Sequence, residues 1–528
     1  MIKKLVVLLL ISFVSFSAAE DKEYDVVVYG GVPCGIAASI TAAREKASVL
    51  LIEPTKHVGG LSTSGINTAE SEHMLKWTFG GFALEFYQRL GKHYGTNRAE
   101  YYFESGVAEK VYLEMLKEAG VPVHYGASVL KVENKDSVIS GIKLTDGTVI
   151  KGKVFIDASY EGDLMARAGV SHTVGRESKS KYKEEAAGIR FDKNPVSAKT
   201  VDENGNLLPG ISAWAKDLKE GESHSAPMNY NFRLTVTKDP NKMVPFPKPE
   251  NYDRKRYTLL INWLKDKQTS LRSIIDFYRR RNGKIEMNNK QSAIISLGHF
   301  GGQFNWSNAD YDEREKIYKD HLDYTMGLIH FLATDESVPD NVRNEMKSYG
   351  LHKDEFADNN YIPYQLYVRE ARRMVGEYVV TQHDVQTDRR KPDSIGFSSH
   401  FIDSHHVQRV AISETQFVNE GRIWRMGFAY QIPYRSILPK NAQCSNLLVP
   451  GAASFSHVAY CTLRLESVWM ITGHAAGVAA SMAIKSSGKV HEVKISELQE
   501  KLKKQGQIVD FVPGKPEKCE KLNGPKEF

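Results

Sequence analysis

Gly30, Gly31 and Gly35, followed by Glu53 eighteen residues past Gly35, are the residues of this 528-residue chain whose types and spacing most directly imply chemistry. A glycine turn lets phosphate approach the backbone, and the helix it opens offers that phosphate a positive N-terminal end. A carboxylate closing the next strand accepts hydrogen bonds from a ribose. The combination reads as a site for an adenine dinucleotide. Pro33 and Cys34 fill the turn, Cys34 as a small residue under the pyrophosphate. Val32 stands where the second glycine of such a fingerprint belongs, so the spacing is right but the pattern is imperfect.

The elements that must position these residues are legible around them. Residues 25–29 form a short β-branched run, as a buried parallel strand requires. Ala37, Ala38, Ile40, Ala42 and Ala43 then make a small-residue helix that can pack close to a sheet. A second apolar strand at 48–52 ends on Glu53. The strand, turn, helix, strand and terminal acid carry more weight together than the glycines alone.

Residues 54–65 read PTKHVGGLSTSG, a glycine doublet just after the acidic strand end. With this segment the chain resembles the bacterial FAD-dependent oxidoreductase family, with succinate dehydrogenase and fumarate reductase flavoproteins as distant relatives. The resemblance also runs through VFIDASYEGDL, KDEFADNNYIPYQLYVREARRMVGEYV and NLLVPGAASFSHVAYCTLRLESVWMITGHAAGVAAS. It implies an α/β fold: a Rossmann-type FAD-binding domain built from N- and C-terminal segments, with an inserted α+β substrate or cap domain. The implied cofactor is FAD, held by the turn residues and by Pro54, His57, Gly59, Gly60, Val129, Asp157, Ala158, Gly451, Gly473, Ala475 and Gly477. The segment around His57 is also similar to the stretch of succinate dehydrogenase flavoproteins in which a histidine is bonded to the flavin. Covalent attachment and simple contact with the diphosphate both stay open.

At this length the chain can bury a large core and form two or more domains. Its 41% hydrophobic and 25% charged residues are those of a soluble globular protein. The net charge of +6 is dispersed, and falls to +4 once Lys3 and Lys4 are gone, which argues against nucleic acid as a partner. Those lysines precede an apolar run at 5–16 and Ser17-Ala18-Ala19, a signal-peptide pattern. The run is too short to span a bilayer, so the mature protein is expected to be exported, periplasmic or secreted, without an integral membrane segment. The four cysteines (Cys34, Cys444, Cys461 and Cys519) form no framework, although a bridge such as Cys444 to Cys461 is compatible with the sequence. No spacing of His, Cys and carboxylates reads as a metal site.

Alternating strand and helix signals give a signal peptide at 1–19, a first flavin segment at 20–170, an inserted domain at 171–425, a second flavin segment at 426–485, and a C-terminal helix and tail at 486–528. Strands are expected at 123–132, 142–144, 148–150, 154–156 and 446–450, and helices at 312–332, 365–381, 471–483 and 494–507. No second glycine fingerprint marks an NAD(P)H site.

A flavin supplies the redox chemistry, so the protein must position substrate and handle a proton. His457 and Arg464, just past the last strand, are candidates for proton exchange and for holding an anion. Their structural alternatives are a buried histidine and an Arg464–Glu466 ion pair. His405, in Asp403-Ser404-His405-His406, is a second acid–base candidate. In the expected 365–381 helix, Arg369 shares a face with Arg372 and could clamp a carboxylate, while Glu370 pairs with Arg373. The expected activity is two-electron redox chemistry on a small organic substrate, with an external electron acceptor. Family association suggests a carbohydrate or sugar acid. A polysaccharide lyase, a xanthan-lyase-like label some relatives carry, and a flavin-binding electron carrier are the rivals. No aromatic and basic run suited to a long glycan groove supports the lyase.

Overall fold

The computed structural model describes residues 23–265 and 268–519; the signal peptide expected at 1–19 lies outside them. Strand β1 (Glu23–Tyr29) runs parallel to β2 (Val49–Glu53), with Val26 beside Val49 and Tyr29 beside Ile52. Helix α1 (Pro33–Arg44) crosses between them. The last four residues of β1 and all of β2 are buried, so the runs Val26–Tyr29 and Val49–Ile52 are continuously apolar rather than alternating.

Four further strands complete the main path of a sheet ordered β3-β2-β1-β6-β5-β4, where β3 is Val123–Tyr125, β4 is Val129–Lys135, β5 is Val138–Leu144 and β6 is Val149–Asp157. The single strand expected at 123–132 is in fact two, at opposite edges of this sheet. The break falls at Gly126, whose φ of 73° is open to glycine and whose N–H donates to the Glu53 and Thr55 carbonyls. Conversely, the strands expected at 148–150 and 154–156 are one. Strand β6 stays continuous because it lies beside β1 from Lys151 to Asp157 while its start also pairs with β5. A seventh strand, β7 (Leu447–Leu448), joins β6 in parallel beyond the end of β5.

After β7 the chain forms α3 (His457–Leu463) and α4 (Glu466–Ile484). The helix expected to start near 471 therefore starts earlier, and His457 opens a helix of its own. Helix α4 packs against α1 with little room. A Cβ on Gly473 would lie 2.0 Å from the Cys34 carbonyl oxygen, and one on Gly477 would lie 2.2 Å from that of Ala38. Helix α5 (Ile495–Lys504) closes the described chain much as expected.

Between these parts lies a five-stranded antiparallel sheet built from Met243–Val244, Gly350–His352, Leu234–Thr237, Ile285–Asn289 and Ile275–Arg279, in that order. It accompanies the long helix α2 (Tyr311–Thr334), which matches expectation closely. The helix expected at 365–381 does not form. Arg372–Met374 is instead a strand antiparallel to His172–Val174, and helix resumes only at Gln382–Gln386. Local spacing favoured a helix there, but the arginines are claimed by distant partners. Arg369 donates to Asn229 and Asn231, Arg372 to Asp163, and Arg373 to Glu177. The Glu370–Arg373 pair expected from helical spacing does form, on extended backbone. All four cysteines are free and buried.

Candidate active site

A cavity of about 360 Å³ opens at the C-terminal ends of β1, β2 and β6. Gly30, Glu53, Pro54, His57 and Gly60 line it, together with Val32, Ser159, Tyr160 and Tyr318. Open α/β sheets bind ligands in this position, outside the carboxyl ends of their strands. Helix α1 points its N-terminus at the cavity with no side-chain cap, and Pro33 at its first turn supplies no N–H. That leaves a bare helix end for phosphate.

Glu53 accepts hydrogen bonds from the N–H of Gly31 at 2.8 Å and of Thr55 at 2.7 Å, so the acid also fixes the turn. Burial raises its carboxyl above the usual range. Gly59, at a φ of 99°, donates its N–H to the Gly31 carbonyl, which ties the doublet to the first turn. These features fit a dinucleotide: an uncapped helix end, an acid at the adjacent strand terminus and a glycine-lined wall.

Apart from His57, the expected cofactor residues that remain do not line the cavity. Cys34 is buried, its Sγ 3.9 Å from Thr472 Oγ1, and burial pushes the thiol far up. Gly35 brings α1 against the Gly30 carbonyl. Asp157 accepts from Ser159 and from the Met165 N–H, and burial lifts it to about 6. Ala158 and Gly451 make a tight backbone crossing, a Gly451 Cβ lying 2.9 Å from the Ala158 oxygen. Val129 is a core residue whose carbonyl accepts from Tyr311. Gly473, Ala475 and Gly477 lie on α4 within the core. His57 stacks on Tyr364 at 3.4 Å, with Nδ1 2.9 Å from Glu109 and Nε2 3.0 Å from Asp358. Both ring nitrogens are thus engaged by carboxylates.

A second cavity, of about 300 Å³, lies beyond a shared wall: Gln365 and Leu366 line the first cavity, and Tyr367 lines the second. His405 faces it, its Nδ1 against the Gln291 amide. Burial, and then the charges of Arg369, Arg464, Arg422 and Arg233, hold this imidazole well below the usual histidine range. Arg464 stands behind the wall, donating to Tyr367 Oη at 2.7 Å and to the Asp403 carbonyl at 2.8 Å. The Arg464–Glu466 pair does not form; Glu466 instead accepts from Tyr160 at 2.7 Å. Arg369 lies 4.0 Å from the Tyr367 ring centre, and burial lowers it to about 9. Of the four expected catalytic residues, His405 alone lines this cavity, while Arg464 and Arg369 contact its Tyr367 from behind.

His457 does not join them. It is buried, with Nδ1 2.9 Å from both carboxylate oxygens of Glu370, which Arg373 holds in turn. It lines neither cavity. Sequence reasoning missed Glu70, His73, Arg233, Arg422 and Trp424, which also line the second cavity. Ala69 and Glu70 have φ values of 46° and 56°, strained for residues with a Cβ, and strain of this kind concentrates at functional sites.

The fold and first cavity define a dinucleotide-binding protein of the α/β class. The profile of the FAD dependent oxidoreductase family matches residues 25–502, nearly the whole chain, and the chain belongs to that family. It is an oxidoreductase, and FAD is its cofactor. No curated protein matches the chain. Among solved structures, it is similar to a geranylgeranyl bacteriochlorophyll reductase-like protein from Thermoplasma acidophilum, with 12% identity over 92% of this chain and 84% of that one, at a TM-score of 0.36. THI4 from Thermovibrio ammonificans shares 20% identity over 29% of this chain and 66% of its own, with a TM-score of 0.23. L-proline dehydrogenase from P. horikoshii shares 15% over 36% of this chain and 64% of its own, with a TM-score of 0.24.

Proposed function

We propose that this oxidoreductase carries out two-electron chemistry on a small polyhydroxylated organic substrate, a carbohydrate or sugar acid, bound in the second cavity. One observation carries the reading. Buried polar atoms without a partner cluster around that cavity: Glu70 Oε2, His73 Nδ1, Asn289 Nδ2, Gln291 Oε1 and Arg422 Nε. Buried polar groups are rarely left unpaired, and a ligand rich in hydroxyls would satisfy both the donors and the acceptors.

FAD supplies acceptance or donation of an electron pair and hydrogen. What remains for the protein is a proton. Oxidation of a carbinol would also release its hydroxyl proton, which a base at the cavity must accept. His405 faces the cavity and is the group assigned to exchange that proton, although burial and the neighbouring arginines disfavour its charged form. Arg464 holds Tyr367 and Asp403 in place and balances negative charge beside the shared wall. In the reducing direction the same groups return the proton. An external acceptor or donor completes the cycle.

Export to the periplasm or medium belongs to the same reading, on the strength of Lys3-Lys4, the apolar run at 5–16 and Ser17-Ala18-Ala19. The test is anaerobic reduction of the protein-bound flavin by a panel of sugars, sugar acids and dicarboxylates. Loss of flavin colour with a sugar or sugar acid supports the reading. A flavin that dithionite bleaches but no panel member does would reject it.

A further inference from the structure

We propose that the second cavity selects an ionised carboxylate on its polyhydroxylated ligand, with Arg422 holding the carboxylate and Trp424 packing against the carbon skeleton. This rests on the reading of that cavity as the substrate site, and adds to it the charge of the ligand.

The arginines at this wall are not equivalent. Arg233 and Arg280 both bind Glu286. Arg464 is spent on Tyr367 and Asp403, and Arg369 on Asn229 and Asn231. Arg422 has no hydrogen bond or ion pair among the described residues, and its buried Nε is unpartnered. The half-buried guanidinium lines the cavity without a protein counter-ion, and its planar fork matches a carboxylate.

No carboxylate forms an ion pair with it among the described residues. Of the four acids lining the cavity, Glu70 and Asp403 each lie 3.6 Å from Arg464 and Asp276 pairs with Lys290, which leaves Glu72. An anion entering here would find Arg422 as the arginine of the cavity not already paired with a protein carboxylate.

Two residues further along the chain, Trp424 lines the same cavity. One face of its indole stacks on Phe401, with ring centres 5.0 Å apart at 14°, yet the residue remains 40% exposed. An exposed, rigid aromatic surface at the rim of a polar cavity suits the apolar C–H face of a sugar ring. The unpartnered atoms of Asn289 and Gln291 can then take its hydroxyls.

The experiment is equilibrium binding of D-glucuronate and D-glucose to the FAD-loaded, oxidised protein, read by calorimetry. Arg422→Gln, Arg422→Lys and Trp424→Ala are compared with wild type, with FAD content and melting temperature as controls. Glucuronate is expected to bind at least about tenfold tighter than glucose. Arg422→Gln should weaken glucuronate about 10- to 100-fold and glucose by no more than a few-fold, as loss of a charged hydrogen-bond pair implies. Arg422→Lys should fall between, and it carries the test if Arg422→Gln loses its FAD. Trp424→Ala should weaken both ligands alike. Equal affinity for acid and neutral sugar, unaltered glucuronate binding in a flavin-loaded Arg422 variant, or no binding of glucuronate would each overturn the proposal. If flavin reduction by neutral sugars persists in any of those cases, the assigned function stands and only the role of Arg422 falls.

Discussion

Replacing Gly473 with alanine tests how the site is built, because this glycine acts on the cofactor through another helix. A Cβ there would lie 2.0 Å from the Cys34 carbonyl oxygen and 2.8 Å from the Cys34 carbonyl carbon. Those are backbone atoms in the first turn of α1, so no flexible side chain can yield. To restore ordinary contact, the first turn of α1 or the body of α4 must retreat by about 1 Å or more. Both helices are buried, and such overpacking typically costs about 1–3 kcal/mol. The moving turn is the one that faces phosphate, so the loss should appear in cofactor affinity as well as in stability. Gly473→Ala is expected to melt several degrees lower and to release FAD about 5- to 100-fold more readily, measured by thermal denaturation and flavin fluorescence on dilution. The matched control is Gly106→Ala in the helix Ser105–Ala119, where the nearest atom to the new Cβ is a Glu355 carboxylate oxygen at 3.5 Å. That change should stabilise slightly through helix propensity. A Gly473→Ala protein with wild-type melting temperature and FAD retention would refute the packing argument.

Three further outcomes follow from the geometry. Glu53→Ala removes the acceptor for two N–H groups of the turn, so FAD binding should weaken by about 2 kcal/mol, or roughly thirtyfold, in a reconstitution titration. Arg373→Met leaves Glu177 and Glu370 buried without their shared cation, and a loss of about 3–5 kcal/mol is expected in denaturant unfolding. His474 accepts the Phe82 N–H at Nδ1, and burial lowers it from 6.5 to about 4. The unfolded chain therefore takes up this proton first on acidification. Stability present above pH 6.5 should fall by about 3 kcal/mol as pH drops toward 4, and His474→Gln should flatten that part of the profile.

The dinucleotide half of the molecule was legible because its signals are local. A β-branched strand, a glycine turn, a small-residue helix and a terminal acid lie within thirty-odd residues and depend on each other. Helix α2 was legible for the same reason, as an uninterrupted run opened by Asp310, whose side chain caps it. The segment at 365–381 was misread because tyrosines and arginines at helical spacing look like one face of a helix. Their partners, at Asp163, Glu177, Asn229 and Asn231, lie more than a hundred residues away and pull the chain straight. The second cavity shows the same lesson. Glu70, Arg233, His405 and Arg422 come from four separate stretches, so no motif could gather them. His457 was placed correctly after the last strand, but the helix it opens turns it toward Glu370 rather than into a cavity.

The most direct test of the central claim compares His405→Gln with His457→Gln. Each is loaded with FAD, and the rate of flavin reduction by the best sugar or sugar acid is measured anaerobically by stopped flow. His405→Gln should keep its melting temperature and FAD but slow by about a hundred- to ten-thousand-fold, as loss of a positioned acid–base group does. His457→Gln should lose stability while any flavin-loaded fraction reduces within a few-fold of wild type. Wild-type reduction by His405→Gln, with the large kinetic loss at His457 instead, would contradict the account and move the chemistry out of the second cavity.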